Sequence, residues 1–263
     1  MIVYRSEEEI AALKKSNQIV GKILSDLGKM VRPGLQTIEL DKYAESETKK
    51  MGAVPAFKGY RGFPASLCTS INEEIVHGIP SARSLREGDI LSLDFGVICD
   101  GYYGDAAVTL PVGEVRQKAK HLIAAAEQAF FGGIKQLKVG KRISDLSHAI
   151  QKHVESQGFS VIRAFVGHGI GMSLHEEPQI PNFGAPGHGP KIKPGMVLAI
   201  EPMIAEGDWN VEILADKWTA VTRDKSLSAH FEHTVAVRED GVDILSLLDS
   251  EADSTYIKEP QYA

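Results

Sequence analysis

Three pairs of glycines divide this chain into two halves built on one plan. Gly34 corresponds to Gly140 and Gly52 to Gly158, each at a separation of 106 residues, and Leu40 matches Leu146 at the same interval. Further along, Gly88-Asp89-Ile90-Leu91-Ser92-Leu93-Asp94 lines up with Gly195-Met196-Val197-Leu198-Ala199-Ile200-Glu201 at a separation of 107. A solenoid would repeat every ~20–50 residues and more than twice. Two long copies point instead to a duplicated unit whose halves, about 1–110 and 111–248, face one another across a shared groove. Each half follows the order helix, helix, loop, strands, which sets the class as α+β.

Local signals place the elements. Ser6-Glu7-Glu8-Glu9 is a capping box with acids in the first turn, so a helix starts there. Ile10, Leu13, Ile19, Val20, Ile23, Leu24 and Leu27 follow, mostly on one face, and Arg32-Pro33-Gly34 ends the segment. Thr37 is expected to cap a second helix that stops at Gly52. A short strand is predicted over Leu67–Ile71, and a longer one over 89–98 that turns near Cys99-Asp100-Gly101 and returns from Tyr102 to Leu110. The second half opens with helices over about 115–131 and 144–157, the latter stopped by Gly158. Residues 249–263 are polar and acidic and are expected to form a flexible tail.

Composition narrows the function. At 43% hydrophobic and 24% charged residues the chain can build a real core. A net charge of −6 gives no means of holding nucleic acid by bulk charge. Cys68 and Cys99 are far apart and form no metal pattern, which favours a reducing compartment. The N-terminus has no basic-then-apolar leader, and no apolar run approaches the roughly 20 residues of a membrane helix. A cytoplasmic protein is expected, and no sticky helix argues for more than a monomer.

Chemistry concentrates in a few places. The stretch Phe165-Val166-Gly167-His168-Gly169-Ile170-Gly171-Met172-Ser173-Leu174-His175-Glu176-Glu177-Pro178 has three glycines in five residues and two histidines seven apart. It reads as a shaped loop in which backbone can approach a ligand around His168. Asp94 and Glu201 end matching apolar strands, where a carboxylate is costly unless paired or metal-bound. A hairpin centred on Cys99 and Asp100 would set Asp105 directly opposite Asp94. Like charges so opposed repel, and a divalent cation between them removes the conflict. In residues 229–237, Glu232, Thr234 and Ala236 share one strand face, opposite Phe231, His233, Val235 and Val237.

Each acid taken singly could be a solvated surface residue. Four on strands, two at repeat-related positions, together with a glycine-boxed histidine, form a hard, oxygen-rich donor set. Such a set suits manganese, iron or cobalt, with zinc possible. Five donors exceed what one small ion needs, so two ions roughly 3.5–4 Å apart, sharing a water or hydroxide, are expected.

In this order the motifs resemble a known family. Ser70-Ile71-Asn72-Glu73-Glu74-Ile75-Val76-His77-Gly78-Ile79-Pro80, Asp94-Phe95-Gly96, Gly101-Tyr102-Tyr103-Gly104-Asp105, Gly167-His168-Gly169-Ile170-Gly171, His175-Glu176-Glu177-Pro178, Ala199-Ile200-Glu201-Pro202 and Ser226-Leu227-Ser228-Ala229-His230-Phe231-Glu232-His233-Thr234 carry the resemblance. They are similar to those of the pita-bread metallopeptidases, and within them to the methionine aminopeptidases of the short bacterial type, type I. The resemblance spans about residues 3–248. It implies a single catalytic pita-bread domain over 1–248, with two pseudo-two-fold-related halves around a curved antiparallel sheet. It implies removal of the initiator methionine from nascent polypeptides, with possible transient association with the ribosome.

The residue roles below are what the resemblance implies. Asp94 chelates one metal, Asp105 and Glu232 bridge two, and His168 and Glu201 complete the second site. Glu201 also acts as general base toward the bridging water. His175 hydrogen-bonds the scissile carbonyl oxygen, and His77 contacts the amide nitrogen or the following residue. Tyr60, Phe63, Cys68, Leu174 and Trp218 line an apolar pocket for the methionine side chain. Phe63, Leu174, Phe183 and Phe57 depart from the residues most common in the family, which bears on the shape of the pocket and not on the chemistry.

Three other readings compete. A relative cleaving beside proline would usually carry a separate N-terminal domain, and a first helix at Ser6 leaves no room for one. A pita-bread binding module without catalysis would typically lose ligands, whereas all five are present. A structural duplicated domain would require five donors and two histidines to coincide with the motifs by accident.

Overall fold

A computed structural model of the chain describes residues 1–248, and the tail expected over 249–263 lies outside the described residues. In the first half, helices α1 (Glu7–Met30) and α2 (Thr37–Lys50) precede strands β1 (Val54–Pro55), β2 (Leu67–Ile71), β3 (Glu74–Val76), β4 (Ile90–Cys99) and β5 (Tyr102–Pro111). In the second, α3 (Gln117–Ile134) and α4 (Ile143–Ser156) precede β6 (Ser160–Val161), β7 (Gly167–Gly169), β8 (Glu176–Ile180), β9 (Val197–Ile200) and β10 (Met203–Ala205). There follow β11 (Val211–Ile213), β12 (Ala220–Thr222), β13 (Ser228–His230), β14 (Glu232–Val237) and β15 (Val242–Ile244).

The capping box predicted for α1 forms, with Ser6 and Glu9 each accepting the other's backbone N–H. α2 starts one residue earlier in register than expected. Gln36 is its N-cap, with its N–H donated to the Glu39 carboxylate, and Thr37 lies in the first turn. The Thr37 hydroxyl is engaged instead by the loop at Ser81, donating to its carbonyl and accepting from its N–H.

One antiparallel sheet unites the halves. Its strand order is β1-β4-β5-β14-β9-β7-β8, with β15 paired to β14 and β2 to β4. β5 of the first half pairs directly with β14 of the second, so the seam is continuous hydrogen-bonded sheet. Residues alternate between its faces. Leu91, Leu93, Phe95 and Val97 of β4 are wholly buried with Val20, Ile23 and Leu27 of α1 and Leu40 of α2. In the second half, Leu198, Ile200, Val235 and Val237 are buried with Leu122 and Phe130 of α3 and Leu146 and Ile150 of α4. The helices therefore cover one face, and the other is left for chemistry.

The repeat seen in the sequence is carried by the backbone. Gly34 and Gly140 have φ of 87° and 88°, Gly52 and Gly158 72° and 78°, Gly88 and Gly195 88° and 82°. That left-handed region favours glycine because it has no Cβ to clash. The Gly34 N–H donates to the Leu85 carbonyl, and the Gly140 N–H to that of Ile192. Isolated bridges join Gln36 to Ser84 and Arg142 to Lys191 at the corresponding places.

The structure corrects three expectations. Asp94 does not end its strand, since β4 runs on to Cys99. The β4–β5 hairpin is centred one residue later than expected, on Asp100 and Gly101 with φ of 51° and 83°. Both values are positive, as a two-residue type I′ turn requires. Asp94 thus faces Ala107, and Asp105 faces Gly96. The two acids share a face as diagonal neighbours and not as a directly opposed pair. Finally, His168 sits on a strand and not in a loop. β7 is paired on both sides, with β8 and β9. Its glycines allow those neighbours to close in: a Cβ on Gly167 would lie 2.4 Å from the Ala199 carbonyl oxygen, and one on Gly169 2.2 Å from that of Glu177.

Candidate metal centre

Strand register assembles the acids. Ala107 of β5 pairs with Asp94 on one side and Glu232 on the other, so the three form a row across the sheet. The neighbouring row begins with Gly96 and Asp105. It continues at Thr234, whose hydroxyl donates to the Asp105 carbonyl, and passes through Ala199 to His168. Glu201 follows the end of β9, two residues beyond Ala199. Alternation turns all five donors onto the face opposite the helices.

The geometry is that of converging donors. Asp105, His168 and Glu232 each present one ligand atom, and these lie within 4.8 Å of one another. Glu201 Oε1 is 3.4 Å from His168 Nε2. His168 Nδ1 lies 2.9 Å from the Gly169 carbonyl and can only donate to it, which leaves the Nε2 lone pair facing the acids. Asp105, His168 and Glu232 are buried; Asp94 and Glu201 are nearly so. Among the described residues Asp105 Oδ1 and Glu232 Oε1 have no hydrogen-bond partner.

Electrostatics show the cost of this arrangement. Burial pushes the Asp94 carboxyl up to about 7. Burial, then the charges of Asp94 and Glu201, raise Asp105 well above the carboxylate range. Glu201 is raised by burial and by Asp94, and Glu232 by burial and by the other three acids. His168 is lowered to about 4, chiefly by burial, and so is neutral and able to ligate. Four acids crowded out of water without a cation must hold protons. Divalent cations would neutralise the cluster and occupy the orphaned oxygens, so these residues fit a metal site.

Two further histidines flank the acids. The His175 ring lies 4.3 Å from that of His168, centre to centre, and its Nδ1 is 2.8 Å from the Tyr60 hydroxyl. His77 follows β3 with φ of 61°, a strained conformation for a non-glycine residue. Its ring meets Phe165 and Trp218 edge-on at 5.7 and 6.2 Å, and burial lowers it to about 4. Tyr60, Phe63, Cys68, Leu174 and Trp218 belong to one apolar cluster, with Phe57, Ile79 and Ile170. Cys68 stands directly across the β2–β4 ladder from Asp94, so the cluster adjoins the acids.

Sequence reasoning missed the supports. Arg5, buried, donates to both Glu176 oxygens at 2.7 and 2.6 Å and so ties the N-terminal segment to the residue after His175. Asn182 Nδ2 donates to the Glu201 carbonyl at 2.9 Å. His230 is 1% exposed and places Nε2 3.8 Å from Glu232 Oε2. His230 lies in a recognised motif, but nothing local marks it as buried beside a ligand.

Comparison with known proteins agrees with this geometry. The profile of metallopeptidase family M24 matches residues 11–239. A methionine aminopeptidase of Clostridium acetobutylicum is 50% identical over 250 residues, which cover 95% of this chain and 100% of that protein. The crystal structure of a methionine aminopeptidase from Thermotoga maritima superposes with a TM-score of 0.93 at 46% identity, covering 94% of this chain and 100% of that one. A prolidase from Pyrococcus furiosus shares the fold, with a TM-score of 0.77, but only 22% identity, and this chain covers 66% of it. The fold is the α+β pita-bread arrangement, and the chain belongs to metallopeptidase family M24.

Proposed function

We propose that this protein is a metal-dependent aminopeptidase that removes the initiator methionine from nascent polypeptides in the cytoplasm. The observation that carries the reading is the apolar cluster of Tyr60, Phe63, Cys68, Leu174 and Trp218 lying against the acids. Apolar side chains of this kind beside a hydrolytic centre suit an unbranched thioether side chain. The relatives' names and the full-length match support it. Among the described residues no helix is long and apolar enough to cross a membrane.

Asp94, Asp105, His168, Glu201 and Glu232 would hold two divalent ions drawn from manganese, iron, cobalt or zinc. Such ions, when bound, polarise a carbonyl and make water a nucleophile at neutral pH. The chain's own groups do the rest. Glu201, 3.4 Å from His168 Nε2 among the converging donors, takes the proton of the attacking water. His175 donates a hydrogen bond to the scissile carbonyl oxygen as charge develops there. His77, neutral by burial, faces the amide nitrogen of the leaving chain.

Tyr60 sets the state of His175 in this scheme. A Tyr60 hydroxyl donating to Nδ1 leaves the hydrogen on Nε2, where the substrate needs it. Tyr60→Phe is expected to lower kcat by about tenfold, the effect of one misdirected hydrogen bond, with metal content unchanged. An unaltered kcat would leave Tyr60 as pocket lining only.

The deciding experiment is hydrolysis of Met-Ala-Ser and Ala-Pro-Ala by metal-free enzyme supplied in turn with Mn²⁺, Co²⁺, Fe²⁺ and Zn²⁺. Metal-dependent release of methionine from the first peptide alone is expected. Cleavage of the second would move the chain to the proline-handling members of the fold. Metal binding without cleavage of either would make it a binding module.

A further inference from the structure

β11 is the outer strand of the three-stranded sheet β11-β12-β3. Arg223 donates its N–H to the Asn210 carbonyl, and Leu214 donates to Thr219. Alternate residues pair in an antiparallel ladder, so Asn210, Glu212 and Leu214 face β12. The N–H and C=O groups of Val211 and Ile213 therefore point out of the sheet edge, and no backbone group among the described residues pairs with them. Edges are usually blunted by charge, proline or a covering loop. Here the exposed Glu212 turns its backbone toward β12, and the outward positions are Val211 and Ile213, the latter 51% exposed.

A second surface lies beside it. Trp209, 39% exposed, is stacked under the Arg163 guanidinium at 4.4 Å, and the same guanidinium lies 5.3 Å from the centre of the Phe183 ring. Both features connect to the candidate site. Phe165 belongs to the apolar cluster that holds Val211 and meets His77 edge-on. At the other end of the three-stranded sheet, β3 runs straight into His77.

We propose that the β11 edge and the Trp209–Arg163 stack bind the downstream part of the peptide substrate, its fourth and following residues, as an added strand. This rests on the peptidase reading above. With His77 facing the amide nitrogen of the leaving chain, as proposed above, the residues after the scissile bond run past His77 and the Phe165 ring that meets it, and an extended chain advances about 3.3 Å with each residue. The edge offers two donors and two acceptors that read backbone and not side chains. That suits substrates that share only their first residue. The aromatic stack adds contact for whatever side chains follow.

The test compares kcat/KM for Met-Ala-Ser with that for a seven-residue peptide beginning Met-Ala-Ser, using metal-loaded enzyme. The longer peptide is expected to be better by about tenfold through a lower KM, the yield of two net backbone hydrogen bonds. Ile213→Pro removes an outward N–H without touching the ladder to β12. It should cancel most of the gain and leave the tripeptide unaffected. Trp209→Ala, and a heptapeptide N-methylated at its fourth and fifth residues, should do the same with the enzyme backbone intact. Equal values for the two peptide lengths would overturn the proposal, as would a concentration-dependent dimer abolished by Ile213→Pro, which would assign the edge to a second copy. Failure to cleave the tripeptide at all strikes the peptidase reading instead.

Discussion

Glu201→Gln is expected to leave the fold intact and to lower kcat by about 10²–10⁴-fold, the range for loss of a general base. The substitution keeps the shape of the side chain and the hydrogen bond from Asn182 to the residue 201 carbonyl. It removes the site that takes a proton. It also weakens one metal donor, so the measurement must be made on enzyme whose metal content has been determined, with metal in excess. Most of the activity retained in fully loaded enzyme would remove Glu201 from the role of base. Loss of activity that excess metal restores would make it a ligand alone. His168→Ala is the control, because it should lower metal affinity first and turnover only as a consequence.

A larger physical effect is expected in the pH dependence of stability with and without metal. In the metal-free protein Asp94 sits at about 7, and Asp105, Glu201 and Glu232 are raised by burial and by one another. Unfolded, these groups ionise near pH 4. Above that pH the folded chain binds more protons than the unfolded one, so stability falls as pH rises through 7. Buried histidines work in the opposite sense. His77, His168 and His233 at about 4 and His230 at about 3 are neutral when folded. They charge near pH 6.5 when unfolded, so their cost is confined to pH below ~6.5. Between pH 6.5 and 8.5 the carboxylates dominate the slope, and the buried Cys68 thiol, raised by burial, adds to it in the same direction at the alkaline end.

Bound metal reverses that slope, because ions displace protons and bind more tightly as pH rises. The Tm of chelator-treated protein should fall from pH 6.5 to 8.5 while that of Mn²⁺-loaded protein holds or rises. Metal at 100 times its Kd adds about 2.7 kcal/mol, and each kcal/mol moves a chain of this size by about 2–4 °C, so the gap at pH 8 should be about 5–10 °C. Parallel curves would mean that the acids do not hold the metal.

Much of this was legible in the chain itself, and the failures have physical causes. The glycine pairs revealed the duplication because each sits at a positive φ that other residues tolerate poorly. Asp94 and Glu201 stood out because a carboxylate in an apolar run is costly. Setting Asp105 opposite Asp94 centres the hairpin one residue too early, whereas the favoured type I′ pair Asp100-Gly101 marks its centre. Three glycines in five residues disfavour a strand and point to a shaped loop around His168, whereas the close approach they allow is that of the neighbouring strands at Ala199 and Glu177. The contact of Arg5 with Glu176 joins residues 171 positions apart, and no local pattern encodes it. The methionine pocket proposed for the Tyr60, Phe63, Cys68, Leu174 and Trp218 cluster rests on family resemblance, since periodicity cannot tell a pocket wall from ordinary core.

The β5–β14 seam divides the proposed donors unequally: Asp94 and Asp105 come from one half, His168, Glu201 and Glu232 from the other. Neither half alone can complete the set. Occupancy of the centre is therefore a report on assembly, and a chain severed between Pro111 and Gln117 would regain its ions only when the two fragments rejoin. A metal held by these residues would act as a clasp whose closure certifies that the whole molecule has folded.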